Sequence, residues 1–194
     1  MCSLREVLNF ARLIYIGPLK TEIGTFYTNP STRPYIRILE DIGSQALDAD
    51  KIDIAIYAFE EIMRLNHKDN LGVRHQLLTC YIKQIGRINR YPDTVPVRTV
   101  EQAESLLALK RDNIRVWDDD NIISRWAKIL FAWIRKEGTW KKLAKQENKK
   151  SELIFKVLFG EIDVDKVPRS SEISAYGIII KSALSEWPDF IIDL

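Results

Sequence analysis

The side chains that could carry chemistry are few and scattered. Three consecutive carboxylates, Asp118, Asp119 and Asp120, follow Trp117. Three successive residues on a helix or turn point in different directions, so they do not converge on one ion, and no EF-hand glycine and terminal glutamate follow them. They read instead as the cap of a helix that begins near Asn121, where carboxylates complement the helix dipole. His67 and His75 stand on either side of an expected turn and need not meet. Cys2 and Cys80 could form at most one disulfide, and with only two histidines beside them they are not read as a zinc site. There is no glycine-rich phosphate loop, no nucleophile elbow and no paired metal-ligand motif. The expectation is a protein that is not an enzyme and needs neither metal nor cofactor.

Binding chemistry is better represented. The stretch RINRYPDTVPVR sets Arg87, Arg90 and Arg98 around Tyr91, with Pro92 and Pro96 marking a loop and Arg74 as a fourth candidate upstream. Arginine beside an exposed aromatic ring can hold a phosphate while an unpaired base stacks; a merely solvated loop is the alternative. From Arg135 to Lys156 the chain carries a net charge of +5, with Lys141, Lys142 and Lys145 around Trp140. Such a run is either a solvated helix face or a field that draws RNA or an acidic protein surface. From Glu161 onward the sign reverses to a net −4. Phe26 and Tyr27 sit in an irregular stretch over 17–32, a length at which a connection is usually docked or functional. They either pack beneath that loop or insert into a partner.

The composition places these residues on an ordinary soluble scaffold. The chain has 194 residues, 46% apolar and 29% charged, with a formal charge of +2. That suits one domain over 1–194, and it makes the distribution of charge more informative than its sum. Two isolated thiols fit a reducing cytosol. The N-terminal MCSLREVLNFARLIYI is interrupted by Arg5, Glu6 and Arg12, too charged for a signal-peptide core and too short to span a bilayer. A cytoplasmic protein with no membrane partner is expected.

Helical periodicity dominates. Ser3-x-x-Glu6 has the form of a capping box, and Leu4, Val7, Leu8, Ala11 and Ile14 follow as a stripe that Gly17-Pro18 should stop near Ile16. Ser31 or Thr32 caps a second helix with Pro34 in its first turn and Ile38, Leu39, Ile42 and Ala46 inward. Asp48 or Asp50 caps a third, whose inward residues include Ala55, Phe59 and Ile62. Another runs from about Leu71 to Ile85, closed by Gly86. Gly43 inside a helix costs about 1 kcal/mol against Ala, so it should mark a close helix crossing, with Ala55 opposite. Thr99-x-x-Gln102 caps a helix through Leu109 with Val100, Ala103, Leu106 and Leu107 on one face. The helix after Asn121 carries Trp126 and Trp133, and a last one, capped by Ser170 or Ser171, ends at Trp187-Pro188 before the apolar tail Phe190-Ile191-Ile192. That tail either docks back or enters a partner's groove. The fold class expected is all-α.

Leu39, Ile42-Gly43, Ala46, Ala55, Phe59 and Ile62 resemble the tetratricopeptide repeat, a 34-residue pair of antiparallel helices, in a unit at about 33–68. Ala46 replaces the usual tyrosine and His67 the usual terminal proline. The segment RPY…LNHKDNLGVR is similar to a repeat variant written RPY…LNPxDNxGxR. The resemblance implies antiparallel hairpins stacked into one domain and a binding scaffold without catalysis. The short Ile/Lys/Asn-rich chain with this repeat also resembles ribosome dormancy factors of the kind found in microsporidia. That resemblance implies a ribosome partner, with rRNA and ribosomal proteins contacted and a tRNA site, the exit site, occupied. Arg87, Arg90, Tyr91 and Arg98 would then touch RNA, and Phe26 and Tyr27 would insert. The alternative is an adaptor that binds an extended peptide or a partner helix.

Overall fold

The computed structural model describes residues 4–90, 103, 122–150, 156 and 182–193. Among them the chain is all-α, and the nearest approach to a strand is an isolated antiparallel bridge between Thr25 and Asn66. The helices are α1 (Leu4–Ile14), α2 (Pro18–Thr21), α3 (Arg33–Asp48), α4 (Ile52–Leu65), α5 (Val73–Arg90), α6 (Ile122–Ile134), α7 (Trp140–Lys150) and α8 (Pro188–Asp193). Two compact units can be distinguished, Met1–Cys80 and Tyr81–Leu194. The expected caps at Ser3, Thr99 and Ser170 or Ser171, and the triplet Asp118–Asp120, lie outside the described residues.

In the first unit α3 and α4 pack against each other more extensively than any other pair of described helices. α3 buries Tyr35, Ile36, Leu39, Ile42, Gly43 and Ala46, and α4 buries Ala55, Ile56, Ala58, Phe59, Ile62 and Leu65. The expected close approach at Gly43 is present, but its partner is a ring rather than a backbone. A Cβ on Gly43 would lie 2.8 Å from both Cδ1 and Cζ of Phe59 and nearer still to Cε1. Phe59 therefore fills the space that any other residue at 43 would claim. Neither expected aspartate stands at the N-cap position of α4. Asp50 takes a left-handed conformation (φ 58°), Lys51 stands at the N-cap position, and the Lys51 amide donates to the Ala46 carbonyl at 2.7 Å. Asp tolerates this conformation because its short polar side chain can bond locally.

α1 lies on α3 through buried Leu8 and Ala11, while Tyr15, just beyond it, sets its ring 5.3 Å from that of Tyr35. It ends at Ile14, shorter than expected, and Val7 and Ile14 of the anticipated stripe are exposed. The connection over 17–32 is docked. Phe26 N–H donates to Leu65 O at 3.1 Å and His67 N–H to Gly24 O at 3.3 Å, pinning the loop to the end of α4. Gly24 has φ 90° and lies against the His67 imidazole, so a side chain there would be doubly strained. The turn into α5 is fixed by Asp69, whose Oδ1 accepts the Val73 N–H at 2.7 Å, and by Gly72 at φ 69°.

In the second unit α5 does not stop at Gly86 but continues to Arg90. Glycine is there for another reason. A Cβ on it would lie 2.8 Å from Glu186 Cβ and 3.0 Å from Trp187 Nε1. The Trp187 indole donates to Ile82 O at 3.2 Å across this gap. A helical stretch over 182–184 ends before Trp187-Pro188, as expected, and Pro188 then begins α8, a place where its missing N–H costs nothing. Phe190 is wholly buried against Trp133 and Trp140, at 5.5 and 6.5 Å between ring centroids, so this part of the apolar tail docks back.

Replacing Gly43 by Ala should lower stability by about 1–2 kcal/mol, because overpacking outweighs the gain in helix propensity. Phe59→Leu in the Gly43→Ala background should recover part of the loss, read as Tm in thermal melts. A variant as stable as the parent would remove the claim that Phe59 occupies this space.

Candidate functional site

The expected site residues fall into three groups. Tyr91 and Arg98 lie outside the described residues. Arg87 and Arg90 are in the last turns of α5, not in a loop. The Arg87 guanidinium sits against Glu186, with both Nε and Nη2 donating to Oε1 at 3.2 Å. Its charge is therefore compensated, which makes it a poor phosphate ligand unless Glu186 is displaced. Arg74, the fourth candidate, is buried near the start of α5.

Phe26 and Tyr27 are adjacent, yet they do opposite things. Phe26 is fully buried with its ring 6.0 Å from that of Tyr35, and its carbonyl accepts the Thr32 hydroxyl at 2.8 Å. It cannot insert into a partner without dismantling the loop. Thr32, at the N-cap position of α3, thus spends its hydroxyl on the loop and makes no side-chain cap. Tyr27 is half-buried and gathers two arginines from the first turns of α3. Arg33 Nε donates to Tyr27 O at 2.9 Å, and its guanidinium carbon lies 5.3 Å from the Tyr27 ring centroid. Arg37 lies 5.5 Å from the same centroid, donates from Nη2 to the Tyr27 hydroxyl at 3.2 Å, and pairs through Nη1 with Glu40 at 2.6 Å. The hydrogen bond that Arg37 donates to the Glu40 carboxylate raises the guanidinium above its ordinary value. Sequence reading missed both arginines. The signal available was their i, i+4 spacing just after an aromatic loop.

Lys141, Lys142 and Lys145 are all exposed on α7. α7 turns its other side inward through Ala144 and Glu147, and Glu147 pairs with Arg125 of α6 at 2.8 Å. Trp140 at the helix start packs on Phe190 and carries the Lys141 ammonium 5.4 Å from its ring centroid. Trp140 is thereby a support for the lysines more than a stacking platform. Lys136 adds a fourth exposed cation at the turn before α7, in a left-handed conformation. The two acids nearest in sequence are directed elsewhere: Glu147 to Arg125, and Glu137 to Arg135 at 3.8 Å.

A second surface is apolar. Phe10, Leu13 and Ile14 of α1 are 67%, 69% and 61% exposed. A groove of about 530 Å³ runs beside this helix, lined by Leu8, Arg12, Ile42, Asp53, Ile54 and Tyr57. Arg12 lies over the Tyr57 ring at 5.2 Å and 3.7 Å from Glu61. No group of three or more metal-ligating side chains occurs among the described residues, and no described helix is long and apolar enough to cross a membrane.

Glu147→Ala should destabilise the protein by about 1.5–3 kcal/mol, since it removes a charged hydrogen-bond partner of Arg125 at a largely buried place. Urea unfolding checks this. Glu147→Gln should cost less, because one acceptor for Arg125 survives. No family model, curated protein or solved structure matches the chain.

Proposed function

We propose that the chain is a non-enzymatic helical binding protein of tetratricopeptide-like build that works in the cytoplasm by docking on the ribosome. In this reading it holds the ribosome inactive by occupying a tRNA site, the exit site. The observation that carries it is the lysine row of α7. Lys141, Lys142 and Lys145 are exposed on one short helix while the neighbouring carboxylate of Glu147 is turned inward to Arg125. A row of unneutralised ammonium groups on a rigid helix is suited to a phosphate backbone, whose binding is driven by counterion release. Stacked hairpins would supply the rigidity, with α3 and α4 as the clearest pair. The exposed apolar face of α1 would meet ribosomal protein, a partner that RNA alone does not offer.

The groove beside α1 favours a second reading. Its apolar walls, with Arg12 and Asp53 at the rim, suit an amphipathic helix or extended peptide, and the protein would then be an adaptor without RNA.

Sedimentation of the purified chain with ribosomes through sucrose at increasing salt separates the two. Ribosome docking predicts co-sedimentation at low salt that falls steeply as salt rises. The triple change Lys141, Lys142 and Lys145→Ala should weaken it by roughly tenfold or more and flatten the salt dependence by about 2 in log–log slope, three phosphate contacts at about 0.7 each. Binding that ignores salt, or no binding at all, favours the adaptor.

A further inference from the structure

Among arginines whose side-chain contacts are seen, the common pattern is compensation by a carboxylate. Arg64 forks onto Glu61 at 2.8 Å through two nitrogens, Arg87 meets Glu186, Arg125 meets Glu147, and Arg37 meets Glu40. Arg33 departs from it. It is exposed, its Nε is anchored by the Tyr27 carbonyl, and its guanidinium carbon lies 5.3 Å from the Tyr27 ring centroid, two contacts that hold the group without cancelling its charge. Anchoring at Nε leaves the terminal N–H donors of the fork for a ligand. Arg37, one helical turn on and tied to the Tyr27 hydroxyl, adds a second cation near the same ring. We propose that Arg33, supported by Arg37 and Tyr27, is a phosphate-binding site for single-stranded RNA in the first unit. It is a contact additional to the lysine row of α7.

The chemistry selects this ligand in two ways. A guanidinium fork matches the oxygens of a phosphodiester in a bidentate manner, which an ammonium does not. The exposed Arg33 guanidinium, 5.3 Å from the Tyr27 ring centroid, also offers a face on which an unpaired base can stack, so phosphate and base could be held within one nucleotide's reach. An acidic peptide would satisfy the fork but would leave that stacking face unused. The binding cost in side-chain entropy is already reduced, because the Tyr27 carbonyl holds Arg33 in place before the ligand arrives. The site rests on the reading of the chain as an RNA-docking protein, and the test distinguishes the failure of one from the failure of the other.

The experiment is fluorescence anisotropy of the full chain with a labelled single-stranded RNA of mixed sequence, about 12 nucleotides long so that it covers one groove-sized site, across a salt series. Arg33→Ala should bind roughly tenfold more weakly, with the log–log salt slope shallower by about 0.7, the loss of one phosphate contact. Arg33→Lys should keep the slope and lose a smaller part of the affinity, since it retains charge but not the fork. If Arg33→Ala melts early, Arg33→Lys and Arg37→Ala still read the site, because neither removes charge and anchor together. Wild-type affinity and slope in all three variants, while the triple lysine variant weakens, would overturn this site and leave the RNA reading standing. No RNA binding by the wild-type chain at low salt overturns both. Equal binding of polyglutamate, lost in parallel in Arg33→Ala, also overturns the proposal in favour of an acidic protein ligand.

Discussion

The phenyl ring of Phe59, seated where Gly43 leaves its α-carbon bare, sets the geometry of the first unit. Burying a phenylalanine is worth roughly 1.5–3 kcal/mol, but its larger effect is on specificity. With Gly43 opposite, α3 and α4 can close only in the register that matches that gap to that ring. The remaining pieces attach to the hairpin so formed. α1 lies on α3, the loop over 17–32 hydrogen-bonds to the end of α4, and Tyr35 on α3 receives the rings of both Tyr15 and Phe26. The position of Tyr27 and its two arginines is thus inherited from the packing of Phe26. A loop pinned at one residue presents the next one outward.

The second unit uses the same device with different parts. Gly86 admits Trp187, the indole reaches a carbonyl of α5, and Trp187 and Phe190 close around Trp133 in edge-to-face contacts. Such contacts add about 0.5–1.5 kcal/mol each beyond the burial of area. Lys83, buried in α5, donates to Ser182 Oγ at 2.7 Å, so a polar bond runs beside the aromatic cluster. Trp140 joins the cluster from the start of α7, and the lysines that follow it are held at fixed angles by a helix whose inner edge is tied to α6.

What could be read from the sequence follows the range of each interaction along the chain. The pairing of Gly43 with the second helix was legible because both lie in one short hairpin at helical spacing. Gly86 was not: a glycine near the end of an apolar stripe has the form of a stop, and the tryptophan that explains it comes from the far end of the chain. Pro188 was half legible, since proline both follows helices and starts them: the helical stretch over 182–184 does end before it, while the start of α8 shows only with the docking of Phe190. Asp48 and Asp50 were reasonable caps by type, yet the backbone of the turn placed Lys51 there. Phe26 and Tyr27 were an undivided pair in the sequence, because the register of a docked loop is set by hydrogen bonds to Leu65 and His67 that no local pattern announces. The site was the least legible part. Residue type identifies a cation, but whether a carboxylate has already claimed it depends on the fold.

That last distinction governs which cations can bind. For a part-buried ion pair the cost of desolvation offsets much of the attraction, so pairing Arg87 with Glu186 does not chiefly serve to hold the fold. It does change what Arg87 can do. To take a phosphate, Arg87 must give up one anion for another, and the exchange gains little. The lysines of α7 and Arg33 face no such exchange: Trp140, with its ring near Lys141, and the Tyr27 carbonyl are partners that steady the cation without neutralising it. Each carboxylate placed on an arginine therefore narrows the set of free charges to those that remain. A chain with a formal charge of only +2 can in this way leave uncompensated cations exposed in each unit, three lysines on α7 and Arg33 on α3.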